Sequence, residues 1–150
     1  MTKFGLDSNI LVYFLDDRDL NRRDRAREIV DRAGQTRRCT LSVQNLGEFF
    51  AVATRKSLSS PVDAQAFVAK LATLFPIVAP TVSEVRAATA AAVAGRFSYW
   101  DALLLATLGA AGCSVVLSED MHDGAALAGV TVRNPFVGEA LPGELDALLS

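Results

Sequence analysis

A mostly parallel α/β sheet, covered by helices on both faces, is the fold this sequence predicts. Short segments such as "RCTLS" and "SVVLS" are largely apolar or small. They lack the strict polar alternation of a sheet open to water on one face. Such segments alternate along the chain with longer ones of helical spacing, the order that joins parallel strands through crossover helices. The length of 150 residues, with 51 % hydrophobic and 21 % charged, suits one folded domain over residues 1–150 with a sizeable core.

Residues 3–7 read as a strand ending in Asp7, followed at once by a first helix in "SNILVYFLD". Residues 22–33 form a second helix, with Ala26, Ile29, Val30 and Ala33 on one face and Gly34 as its stop. "RCTLS" is a strand, and residues 43–56 are a nearly uncharged helix. Ser60 and Pro61 open the next helix as N-cap and first residue, and Phe67, Leu71 and Leu74 form its apolar stripe. "IVA" is a brief strand, and Thr81 to Glu84 has the spacing of a capping box before an alanine-rich helix. Ser98 begins a helix carrying Asp101 that stops near Gly109 or Gly112. "SVVLS" and "VTVRN" are strands, and residues 145–149 a short terminal helix.

Several function classes drop out early. The longest uncharged run, residues 102–118, is broken by Thr107, Gly109, Gly112 and Ser114 and falls short of the ~20 apolar residues a membrane span needs. The N-terminal apolar run contains Asp7, which makes it a poor signal peptide, and a cytoplasmic protein without membrane attachment is expected. Cys39, Cys113 and His122 do not fill the ligand set of a structural zinc site. Net charge is only −2, so a uniformly basic nucleic-acid binder is excluded. Ten of the fifteen basic residues nevertheless lie between Arg18 and Lys56. Arg18, Arg22, Arg23 and Arg25 can contact RNA, or they belong to a solvated helix face where Asp24, Glu28 and Asp31 pair with them.

Three long apolar runs each hold a single charge: Asp7 in residues 4–15, Glu48 in 39–54, and Asp101 in 97–118. A fourth acidic group, Glu119, Asp120 and Asp123, follows "SVVLS". An unpaired buried carboxylate costs several kcal/mol, and few basic residues lie nearby in sequence, so a divalent cation would satisfy several acids at once. Asp7 and Asp120 fall at the C-terminal ends of strands, while Glu48 and Asp101 lie in early turns of helices that begin at the same sheet edge. All four can reach one crevice, and hard oxygen ligands favour Mg²⁺ or Mn²⁺. Each also has a bland reading. Asp7 can cap the helix opened by Ser8, Asp101 can complete a box with Ser98, and Glu48 can share an exposed face with Gln44 and Asn45. Asp120 is favoured over Glu119 and Asp123 by its place in "LSED", where Ser118 offers a hydroxyl. His122 reads as a loop residue.

"LDSNILVYFLD", "LGEFF", "YWDALLLATL" and "LSED", in this order and spacing, resemble the PIN-domain ribonucleases, and most of all the VapC-type toxins of bacterial toxin–antitoxin pairs. The likeness runs to "VRNPF". It implies a PIN fold, Mg²⁺ or Mn²⁺ dependence, endonucleolytic RNA cleavage, frequent homodimers, and inhibition by a small antitoxin protein. It makes Asp7, Glu48 and Asp101 the metal-site acids and Asp120 the fourth, with Ser8 and Asn9 at the small polar positions after the first acid. Whether Glu119, Asp120 or Asp123 completes the site stays open.

The chemistry expected is metal-assisted phosphodiester hydrolysis leaving a 5′-phosphate and a 3′-hydroxyl. A metal-free route through the RNA 2′-hydroxyl would want two groups titrating near neutrality, and there is one histidine. Tyr99 and Trp100 can stack bases, although core packing is the expectation for both. Rival readings are a housekeeping PIN-type nuclease, a haloacid dehalogenase-like phosphohydrolase, and a non-catalytic metal-binding module. The phosphohydrolase wants D-x-D, where this chain has Asp7-Ser8-Asn9.

Overall fold

Six strands, β1 (Lys3–Leu6), β2 (Cys39–Ser42), β3 (Ile77–Val78), β4 (Cys113–Leu117), β5 (Ala126–Leu127) and β6 (Val130–Arg133), form one sheet in the computed structural model, which describes residues 1–150. Their order is β3-β2-β1-β4-β6-β5, and every pairing is parallel except that of β5 with β6. The helices are α1 (Ser8–Tyr13), α2 (Leu20–Thr36), α3 (Val43–Arg55), α4 (Pro61–Leu74), α5 (Val82–Val93), α6 (Tyr99–Ala110) and α7 (Gly143–Leu148). No helix is long and apolar enough to cross a membrane.

Alternation along the central strands divides the core between two faces. Phe4, Leu6, Leu41 and Leu117 pack with Ile10, Ile29, Phe49, Leu71 and Leu145 on the face covered by α1, α2, α3, α4 and α7. Val116 and Val132 turn the other way, against Leu104, Leu105 and Leu108 of α6. Gly5 points to this second face as well, where a Cβ would stand 2.6 Å from Leu108 Cδ1 and 3.1 Å from the Thr40 carbonyl oxygen. α6 therefore lies directly on β1 at this point. Its own small residue, Gly109, sits where a Cβ would come within 2.6 Å of the Ala128 carbonyl oxygen.

These contacts explain where the helix limits differ from expectation. Gly109 lies inside α6 because the turn at Ala128 needs its space, and the stop comes at Gly112, in the left-handed region at φ +91°. Gly34 likewise does not end α2. It faces the Phe75 ring inside the helix, which runs on to Thr36 and closes at Arg37, φ 58°. β5 was not expected from sequence, being two residues long and paired only with the adjacent β6. Leu74, placed in the apolar stripe of α4 by spacing, is exposed, while Leu71 is buried. The Ser60 N-cap and the Thr81–Glu84 capping box form as their spacing predicts.

Candidate active site

Asp7 directly follows β1 and serves as N-cap of α1, its Oδ1 accepting the Ser8 N–H at 2.7 Å. Capping accounts for that oxygen alone. Its Oδ2 accepts the Ser118 hydroxyl at 2.8 Å from the end of the neighbouring β4, and its N–H donates to the Leu117 carbonyl at 2.9 Å. The register that pairs Leu6 with Leu117 sets the two strand ends side by side. Only 6 % of Asp7 is exposed, and burial pushes its carboxyl up to about 6. The Ser118 and Ser8 donors pull it down, and the charges of Asp101 and Glu48 add to the rise.

Glu48 comes to the same edge from the second turn of α3, held by two donors. Ser8 Oγ donates to its Oε2 and Gln44 Nε2 to its Oε1, each at 2.7 Å. Gln44 Nε2 also donates to the Trp100 carbonyl at 3.0 Å, which links α3 to the start of α6. Asn45, one residue on, does not share that polar face. It is fully buried and completes a capping box by accepting the Ser42 N–H at 2.8 Å.

Asp101 sits in the first turn of α6, where Ser98 Oγ accepts its N–H at 3.2 Å. The reciprocal half of the box, a bond from the Ser98 N–H to the Asp101 carboxylate, is not made, so capping does not explain the side chain. Burial raises the Asp101 carboxyl above the usual range. The Ser98 hydroxyl opposes the rise, and the charges of Asp120 and Glu48 reinforce it. Asp7, Glu48, Asp101 and Asp120 thus lie near enough to feel one another.

The three acids after β4 have separate surroundings. Glu119 accepts the Tyr13 hydroxyl at 2.8 Å and a fork of bonds from Arg22, the shortest 2.6 Å. Asp123 accepts the Asn134 N–H at 3.0 Å and fixes its own loop. Asp120 is exposed, its N–H donates to Ser118 Oγ at 3.2 Å, and no backbone N–H or basic side chain reaches its carboxylate. His122 is an exposed loop residue. Asn9 is buried beside this group, its Nδ2 3.4 Å from Ser118 Oγ and its Oδ1 without a partner.

The four arginines expected to contact RNA are engaged within the chain. Arg18 pairs with Asp16, Arg22 with Asp19 and Glu119, and Arg23 with Asp17 and Asp24. Arg25 donates to the Pro135 and Gly138 carbonyls. Trp100, expected in the core, is 61 % exposed. Sequence reasoning left Tyr13 without a role and gave Gln44 only a shared face with Glu48, yet one helical turn separates Gln44 from Glu48 and already put them in reach.

The donor set is carboxylate oxygen with hydroxyl and amide support, which suits a hard divalent cation in kind. As placed, no three of these side chains converge closely enough to grip an ion. The unpartnered Asn9 oxygen and the raised Asp7 carboxyl mark a pocket short of positive charge.

A family model described as the PIN domain matches residues 5–122. The fold is similar to that of a chain in the crystal structure of DNA-bound VapBC from Salmonella typhimurium, at a TM-score of 0.61. The identity is 19 %, over 89 % of this chain and 98 % of that one. No curated protein matches.

Proposed function

The chain belongs to the PIN-domain family, and from that premise we propose that it is a divalent-metal-dependent endoribonuclease, the toxin of a toxin–antitoxin pair. The observation that supports this most is the gathering of Asp7, Glu48, Asp101 and Asp120, from four separate segments, at one sheet edge with no basic partner. Carboxylates left uncompensated there raise one another's charging cost and lower stability at neutral pH, a burden that a bound cation relieves without protonating them.

On this reading Asp7, Glu48 and Asp101 hold Mg²⁺ or Mn²⁺, with Asp120 as the fourth acid. When bound, such an ion polarises a phosphodiester and lowers the pKa of a water. The protein's part is to fix the acids. Ser118 and the Ser8 N–H hold one oxygen each of Asp7, and Ser8 Oγ and Gln44 do the same for Glu48. Each of those four oxygens keeps a lone pair, while Asp101 and Asp120 bring carboxylates that no backbone N–H reaches. Arg22 and Tyr13 engage Glu119, which favours its neighbour Asp120 as the fourth acid. The fold's likeness to a chain of a VapBC structure supports a small antitoxin as partner, and a homodimer acting in the cytoplasm completes the proposal.

Purified protein, free of antitoxin, is expected to cleave RNA with Mg²⁺ or Mn²⁺ and to stop on chelation, with 5′-phosphate ends in the products. Asp101→Asn is expected to abolish cleavage while leaving the fold intact. Full activity in that variant removes Asp101 from the site, and cleavage unaffected by chelator removes the metal. Growth arrest on expression, relieved by co-expression of the adjacent small gene, checks the toxin reading.

A further inference from the structure

Trp100, the only tryptophan in the chain, stands 61 % exposed at the start of a helix that is buried from Ala102 through Leu108. Its place beside Asp101 is held from two sides. The Tyr99 ring meets it edge-on at 4.9 Å and 74°, a contact that covers at most one indole face. Its backbone carbonyl accepts Gln44 Nε2, the same nitrogen that holds Glu48. A ring braced in this way loses little freedom when something stacks on it.

Resting on the reading of the crevice as a ribonuclease site, we infer that Trp100 is the stacking platform for an unpaired nucleobase of the RNA, beside the phosphate held at Asp101. Two features favour a base over a protein side chain. Trp100 lies in a polar first turn, flanked in sequence by Ser98 and Asp101 and with Gln44 on its carbonyl, which fits the rim of a nucleic-acid site better than the apolar centre of a protein interface. The crevice is also negatively charged, and Arg18, Arg22, Arg23 and Arg25 are engaged within the chain. Contacts from those arginines to RNA come at the expense of their present partners, and an uncharged contact adds hold without that exchange. Base–aromatic stacking does that without regard to charge and tolerates any base. It also selects single strands, because a paired base must leave its own stack to reach the ring.

The sole indole makes the test direct. Asp7→Asn protein with Mg²⁺ is titrated with a single-stranded oligoribonucleotide while tryptophan fluorescence is followed, and cleavage kinetics are measured for Trp100→Phe and Trp100→Leu. Expected are saturable quenching by the single strand and none by the duplex of the same sequence. Trp100→Leu raises KM roughly ten- to a hundred-fold with kcat held within a few-fold, and Trp100→Phe recovers most of the loss. An unchanged KM in Trp100→Leu overturns the stacking and leaves the ribonuclease reading standing. Absence of cleavage by the unsubstituted protein overturns both. Fluorescence that tracks protein concentration without RNA assigns Trp100 to a contact between copies, and the inference fails.

Discussion

The acid crevice and the arginine-rich α2 carry charge under opposite conditions. Along α2, Arg23 meets Asp17 and Asp24, and Arg32 meets Glu28 and Asp146, so nearly every guanidinium has a carboxylate or carbonyl at 2.7–3.2 Å. At the sheet edge Asp7, Asp101 and Asp120 have no cation, and the two with burial behind them hold their protons more tightly than ordinary aspartates. The sequence advertises the first region more loudly, with its run of arginines. Pairing, not density of charge, separates the region whose charges are matched from the one left without a cation.

The largest expected break in that comparison is catalytic. Asp7→Asn is expected to reduce RNA cleavage by at least about a hundred-fold, measured as initial rate under Mg²⁺. The same substitution should strengthen the fold. Asp7 goes from 3.8 to about 6 on folding, so between those values the folded state binds more protons and stability falls as pH rises. Above pH 6 the penalty is complete, roughly 3 kcal/mol, and below pH 4 it is absent. Urea unfolding of the metal-free protein at pH 7 should therefore favour Asp7→Asn, with the gain disappearing at pH 3.5; a less stable variant at pH 7 would contradict the unpaired crevice. Mg²⁺ should raise the melting temperature of the unsubstituted chain and leave Asp7→Asn nearly unmoved.

On the other side of the comparison the effects shrink. Arg22→Ala leaves Glu119, 19 % exposed, with only the Tyr13 hydroxyl, and is expected to cost about 1–2 kcal/mol by denaturant midpoint. Arg22 is itself partly exposed, and solvent screening keeps the figure small. Arg23→Ala, whose partners Asp17 and Asp24 are both mostly exposed, should leave the denaturant midpoint nearly unchanged. A large loss there would mean that the paired stretch is not the inert face described.

Much of this was legible where local signals agree with the fold. An apolar strand ended by an acid, a serine three residues before Asp101, and Ser60 before Pro61 each name their position through backbone chemistry that tertiary packing does not override. Legibility failed where a distant element decides. Gly109 is small because Ala128 approaches it, and nothing within several residues announces that. The separate surroundings of Glu119 and Asp123 are set by Arg22 and Asn134, one of them nearly a hundred residues away. Trp100 fooled composition because a helix buried on most of its length still has an open first turn.

The placement of β4 between β1 and β6 also sets when the site can exist during synthesis. A nascent chain that has passed α6 already contains Asp7, Glu48 and Asp101, but neither the Leu117 carbonyl nor the Ser118 hydroxyl that seats Asp7. The central gap in the sheet closes only when β4 emerges, after Asp7, Glu48 and Asp101 have all been made. In a chain that folds as it is made, the crevice is therefore completed by β4 and not by the segments that carry its first three acids.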